Sequence, residues 1–166
     1  GGFTTVCAMP NTEPAIDSVA GVQFLLQRSR QEGKVRVLPI ASVTRGRKGV
    51  ELTDMSELAE AGAVGFSDDG DALKRPDLIR EALSYSTITG LPIITHCEDP
   101  DLVTGKGINE GWVSSRLGLP SSPSIAEETM VARDIEMAKI TGGKLHLAHI
   151  STEGSVRLIR DAKKRK

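Results

Sequence analysis

Residues 76–96, PDLIREALSYSTITGLPIITH, carry a helix, its stop and a strand in unbroken succession. Pro76 suits a first helical turn, where its missing N–H has no intrahelical partner to lose. The helix is predicted to run to about Thr89, and Gly90 is the expected C-terminal stop. Leu91-Pro92-Ile93-Ile94-Thr95-His96 then reads as a strand, with its proline at the tolerated leading position. The same alternation extends both ways. Upstream lie a short strand, Val64-Gly65-Phe66-Ser67, and a short helix, Ser56 to Ala61, with Leu58 and Ala59 facing inward. Before these come a strand from Val35 to Val43 and a helix marked by Ile16, Val19, Ala20, Phe24 and Leu25, which Gly33 stops. The first strand is Thr4 to Ala8, closed by the turn signal Pro10-Asn11. Downstream, 97–123 is irregular, and Ile125 to Ile140 is a helix with Met130, Val131, Ile135 and Ala138 on one face. A strand from Lys144 to His149 and a helix from Thr152 to Lys163 follow, the latter burying Val156, Ile159 and Ala162.

Five consecutive β-then-α units imply an α/β fold with parallel pairing, because helical crossovers are what a parallel connection needs. Two architectures fit: a doubly wound open sheet, or part of a (β/α)8 barrel. A full barrel takes about 250 residues, so five of its eight units need about 156; the chain has 166 and reads as a single domain, 1–166. No Gly-rich phosphate loop follows the first strand, which counts against the dinucleotide-binding version.

Composition excludes several functions. Lys and Arg number 21 against 22 Asp and Glu, which leaves no basic excess for a nucleic-acid partner. Aromatic residues make up 3%, too few for a base-stacking platform. No apolar run has the length of a membrane span. With no signal-peptide pattern and only Cys7 and Cys97, the reading expects a cytoplasmic protein without a disulfide framework. The start at Gly1-Gly2-Phe3 and the basic end Lys163-Lys164-Arg165-Lys166 suggest a piece of a longer chain.

The chemistry-bearing residues share one address. Asn11 follows the first strand, Asp68 and Asp69 follow Ser67, and His96 and His149 end their strands. The carboxyl ends of parallel strands are where active sites form in barrels and open sheets alike. Imidazole and carboxylate are good ligands for Zn²⁺, so His96 and His149 with Asp69 or Asp68 are candidate metal ligands. Alternation along the strand sets His146 opposite to His149, toward the helices, as a structural residue. Cys7 is expected to pack as a small hydrophobe, and Cys97, Glu98 and Asp99 follow a candidate ligand directly. Ser151 or Thr152 caps the last helix. The basic loop Thr44 to Gly49 reads as solvated.

Together these segments carry a resemblance. Gly2-Phe3-Thr4-Thr5 with Met9-Pro10-Asn11-Thr12, Gly65-Phe66-Ser67-Asp68-Asp69-Gly70, His96-Cys97-Glu98-Asp99 and His146-Leu147-Ala148-His149-Ile150-Ser151-Thr152 resemble, in order and separation, the central part of a dihydroorotase. That family is made of metal-dependent amidohydrolases on a (β/α)8 barrel. The resemblance implies that the five units are barrel strands two to six. It implies that His96 and His149 hold the second metal and that Asp69 bridges or ligates the pair, as in the bacterial branch that uses Asp. Asn11 would grip a substrate carboxylate. The implied cofactor is one or two zinc ions. The implied reaction is reversible cyclisation of N-carbamoyl-L-aspartate to L-dihydroorotate in pyrimidine synthesis, by metal-activated hydroxide attack on a cyclic amide. Implied partners are the small-molecule substrate, a second copy in a homodimer, and aspartate transcarbamoylase. The family's His-x-His-x-Arg motif and catalytic Asp have no counterpart here, so the isolated chain is expected to be inactive and its open sheet edges to invite association. Alternative readings are another cyclic amidohydrolase (a hydantoinase or allantoinase), a non-catalytic scaffold subunit, and a metal-free open-sheet binding protein.

Overall fold

The computed structural model describes residues 1–105 and 107–165; Lys106, in the irregular stretch, and Lys166, at the end of the basic run, lie outside them. Five strands are found among the described residues: β1 (Thr5–Ala8), β2 (Arg36–Pro39), β3 (Phe66–Ser67), β4 (Ile93–Thr95) and β5 (Leu145–Leu147). They alternate with α1 (Val19–Glu32), α2 (Met55–Glu60), α3 (Pro76–Thr89), α4 (Trp112–Leu117), α5 (Ser124–Thr141) and α6 (Glu153–Lys164). All pairings are parallel and sequential. β1 pairs with β2, β3 with β4 and β4 with β5, while a bridge from Ala41 to Phe66 joins β2's extension to β3.

The helices pack in chain order, α1 on α2, α2 on α3, α3 on α5 and α5 on α6. They therefore form one layer along one face of the sheet. A doubly wound sheet reverses strand order and puts helices on both faces. Neither feature occurs among the described elements, so the one-sided arrangement is that of a barrel wall.

Local chemistry explains the element ends. The Ser18 and Thr152 hydroxyls accept from the backbone N–H of Gly21 and Ser155 at 3.3 and 3.2 Å, and the Asp54 carboxylate accepts from Glu57 at 3.1 Å. Thr152, rather than Ser151, is thus the cap of α6. Gly90 and Gly142 end α3 and α5 at φ of 71° and 72°, a conformation costly for any residue with a Cβ.

The main core lies between sheet and helices, around Val22, Met55, Phe66, Ile79, Leu83 and Ile93. Complete burial of each such side chain contributes about 1.5–3 kcal/mol. A second cluster of Cys97, Met130 and Val131, with Leu147, Ile150 and Ile159 against it, fills the space beneath the last strand.

Several sequence expectations are corrected. β2 stops at Pro39, and Ile40 to Val43 continue as buried backbone outside a regular ladder, their N–H groups donating in turn to Ala8, Gly65, Ile16 and the Asp68 carboxylate. The irregular segment contains α4. Val156 is exposed, because α6 buries its Gly154 and Ser155 side instead. Cys7 is exposed, since all of β1 up to Ala8 is open on this outermost strand. Leu145 and Leu147 pack on the helix-side clusters, so His146 between them faces the opposite, inner side of the sheet and is exposed. No helix among the described residues is long and apolar enough to cross a membrane.

Candidate metal centre

Three strand ends deliver the centre. In β4, Ile93 packs on the core and the buried Thr95 shares its face, so alternation turns Ile94 and then His96 to the inner side. Asp69 stands two residues beyond Ser67, whose hydroxyl accepts the Asp69 N–H at 3.1 Å. His149 reaches the same point differently. By alternation it belongs on the helix side, but its backbone turns at φ 35°. Positive φ is uncommon for a residue with a Cβ and clusters at functional sites. This turn is the reason His146 and His149 do not divide the two faces as simple alternation requires.

The result is a compact donor set. His96 Nδ1 and His149 Nε2 lie 2.8 Å apart, with the rings edge to face at 69°. Asp69 Oδ1 is 4.0 Å from His149 Nε2. One ligand atom from each of the three residues falls within 4.8 Å of the others. Two nitrogens on one tetrahedral zinc stand about 3.3 Å apart at bond lengths of about 2.0–2.1 Å. The imidazoles therefore need to separate by only about half an ångström, and two nitrogens with a carboxylate oxygen make a donor set that fits zinc.

Neighbouring groups sort into supports and candidate contacts. Asn11 Nδ2 donates to Asp69 Oδ2 at 3.1 Å, which places the expected substrate-binding residue beside the centre. Glu98 holds an oxygen 3.8 Å from His96 Nε2 and accepts from Ser122 Oγ at 3.1 Å. That places negative charge on the far side of the His96 ring. Arg47 donates to the Asp69 carbonyl at 2.7 Å and to Asp71 Oδ2 at 2.6 Å. The loop from Thr44 to Gly49 is built around a buried Thr44 and a half-buried Arg47, while Arg45, Gly46 and Lys48 are exposed, as expected of a solvated loop. A cleft of about 480 Å³ opens between Arg47, Asp71, Lys74, His96 and Glu98.

Asp68 lies outside this donor set. It is buried, and its Oδ1 accepts the N–H groups of Val43 and Thr44 at 2.9 and 3.0 Å while its Oδ2 takes the Thr44 hydroxyl. Burial pushes its carboxyl above the usual aspartate range, against the pull of those donors. Cys97 also lies outside the donor set. Burial, with the Asp134 carboxylate beside it, raises its thiol to about 12, so the sulfur keeps its proton and donates to Asp134 Oδ2 at 3.6 Å.

Sequence reasoning missed Arg47, Glu127 and Asp134. Glu127, in the first turn of α5, accepts four hydrogen bonds from Ser151 and Thr152, at 2.6 to 3.0 Å, just past His149. Burial opposes its ionisation, but donors from Ser151, Ser155 and Thr152 prevail and hold its carboxyl below the ordinary 4.5. A lowered carboxyl stabilises the fold fully above that ordinary value and loses the contribution as pH falls through the lowered one. Amide exchange at Ser151 and Thr152, corrected for intrinsic rates, is therefore expected to accelerate below pH 4.5. Glu127→Gln should remove that dependence; an unchanged acid profile in this variant would show that another group controls the loop.

Comparison with known proteins agrees with this geometry. The family model described as "Dihydro-orotase-like" matches residues 1–155. The chain belongs to the dihydroorotase-like family. It is 48% identical over 165 residues to a dihydroorotase of Acetivibrio thermocellus, covering 99% of this chain and 39% of that protein. It is 51% identical to a dihydroorotase of Pelotomaculum thermopropionicum, covering 38% of it. The chain thus spans under two fifths of the length of these curated relatives. Among solved structures, the L-hydantoinase (dihydropyrimidinase) of Arthrobacter aurescens superposes with a TM-score of 0.80 at 20% identity, over 99% of this chain and 38% of the other. At that identity the likeness concerns the fold, and it supports the barrel-wall arrangement over the doubly wound one.

Proposed function

We propose that this dihydroorotase-like chain forms barrel strands two to six of a zinc-dependent cyclic amidohydrolase that interconverts L-dihydroorotate and N-carbamoyl-L-aspartate. One observation carries the reading: Asp69, His96 and His149 converge within 4.8 Å at the carboxyl ends of three adjacent parallel strands. The identity of 48–51% to dihydroorotases adds to it. Zinc held there would polarise an amide carbonyl and lower the pKa of a water molecule toward about 7.

The chain's own residues supply binding and orientation. His96 and His149 offer ring nitrogens that lie 2.8 Å apart. Asp69 provides charge, and its carboxylate is aligned by Asn11 and by the backbone contact to Arg47. Asn11 is exposed and has a second N–H with no partner among the described residues, suited to a substrate carboxylate. The open cleft beside His96 is lined by Arg47 and Lys74, whose charges are paired with Asp71 and Asp101.

A segment exchange tests the reading. The 166 residues replace the matching stretch of the Acetivibrio thermocellus dihydroorotase, and hydrolysis of dihydroorotate is followed beside that of hydantoin and allantoin. Retained dihydroorotate turnover, lost on Asp69→Ala, is expected. A folded chimera that hydrolyses hydantoin or allantoin but not dihydroorotate would favour the alternative specificity. The 166-residue chain alone contains no His-x-His motif and is expected to show no appreciable turnover.

A further inference from the structure

Helix α5 contributes no ligand to the centre, yet three of its side chains reach the three segments that do. Glu127 takes the N–H and hydroxyl groups of Ser151 and Thr152, directly after His149. Asp134 is completely buried and accepts from the thiol of Cys97, the residue after His96. Cys97 Sγ is in turn 3.3 Å from the hydroxyl of Thr95, the residue before His96. Arg133 donates to the carbonyls of Leu73 and Lys74 at 2.8 and 3.0 Å, closing the loop that begins at Asp69, and is also paired with Asp134 at 2.8 Å. These contacts exceed what burial of the helix requires. Met130 and Val131 already anchor it, and a buried carboxylate carries a desolvation cost that an apolar side chain there would not.

We propose that α5 is the frame that fixes the geometry of the metal centre, with Glu127, Arg133 and Asp134 as positioning residues for His149, Asp69 and His96. The proposal rests on the reading that these three residues hold a metal. The physical reason for such a frame is that strand ends are loops and move independently unless tied to one rigid body. An 18-residue helix is such a body. His149 has the most to gain, since its left-handed backbone stands directly before the Ser151–Thr152 clasp. The ties do not touch the metal; they set how closely Nδ1, Nε2 and the carboxylate approach the donor geometry before it arrives, and groups in that outer position commonly govern affinity by about 10- to 100-fold.

The test is a Co²⁺ titration of the metal-free protein, following affinity together with the intensity and position of the visible absorption bands, which report coordination geometry. Glu127→Ala and Asp134→Ala are expected to weaken Co²⁺ by about 10- to 100-fold and to change the bands. Glu127→Gln and Asp134→Asn, which keep shape and one acceptor oxygen, should recover part of both and provide the reading if an alanine variant does not fold. Met137→Ala, on the same helix but packed on the main core, serves as the stability control and should leave the spectrum unchanged. Folded Glu127 and Asp134 variants with unaltered affinity and bands would overturn the frame while leaving the metal site intact. Absence of any saturable Co²⁺ binding by the unsubstituted protein would instead overturn the metal reading, and the frame with it.

Discussion

Alanine at His96 is expected to weaken zinc binding by more than about 100-fold while leaving the fold intact. The magnitude follows from the donor set. Groups that merely orient a ligand already affect affinity by about 10- to 100-fold, and removing one of three ligands must exceed that. The fold should tolerate the change because the His96 side chain sits at the rim, 23% exposed, and its polar neighbours are the other imidazole and Glu98. Without metal, one ring must donate to the other across 2.8 Å, an arrangement that two protonated rings cannot share. His149→Asn is the informative companion. Asparagine accepts a left-handed backbone more readily than most residues, so it keeps the turn at 149 while deleting the imidazole. Competition with a chromophoric chelator measures both variants, and near-native affinity in either would remove that histidine from the ligand set.

Asp68→Ala is expected to have the opposite signature: a large loss of stability through the loop, not through a metal. The substitution orphans the buried N–H groups of Val43 and Thr44 and the Thr44 hydroxyl. Each buried donor left without a partner costs about 1–3 kcal/mol, so a total of about 3–9 kcal/mol follows for the three. For a domain of this size that lowers Tm by about 10 °C or more. Asp68→Asn retains an acceptor for the two N–H groups and should lose less than half as much. Thermal unfolding monitored by circular dichroism distinguishes these outcomes. If Asp68→Ala instead unfolds normally and loses zinc, Asp68 and not Asp69 is the ligand.

The contrast between these neighbouring aspartates marks the boundary of what a sequence conveys. The β-α alternation was legible because apolar spacing, Pro76 and Gly90 are local signals, and the local structure obeys them. His96 and the Asp68–Asp69 pair were legible because strand-end position alone brings them to the rim. Which of Asp68 and Asp69 faces the centre was not, as it depends on the 43–44 backbone arriving from a strand 25 residues earlier to bury Asp68. His146 was misplaced because alternation was carried through Ala148 into His149, past the end of β5 and through a positive φ. Val156 was assigned to the wrong stripe because α6 packs its smallest residues, Gly154 and Ser155, against α5 and the loop before it. Glu127 and Asp134 left a signal that went unused. They recur at helical spacing with Met130 and Val131, so two carboxylates lie on the stripe that had to be buried. A charge on an apolar helical face needs a partner, and here the partners lie beside the ligand loops.

The most direct measurement is zinc K-edge anomalous diffraction from crystals of the protein grown with one equivalent of zinc. The account predicts a single anomalous peak among these residues, bonded to His96 Nδ1, His149 Nε2 and an Asp69 carboxylate oxygen at about 2.0–2.2 Å. A fully occupied zinc bound elsewhere, with the two imidazoles still hydrogen-bonded to each other, would contradict it.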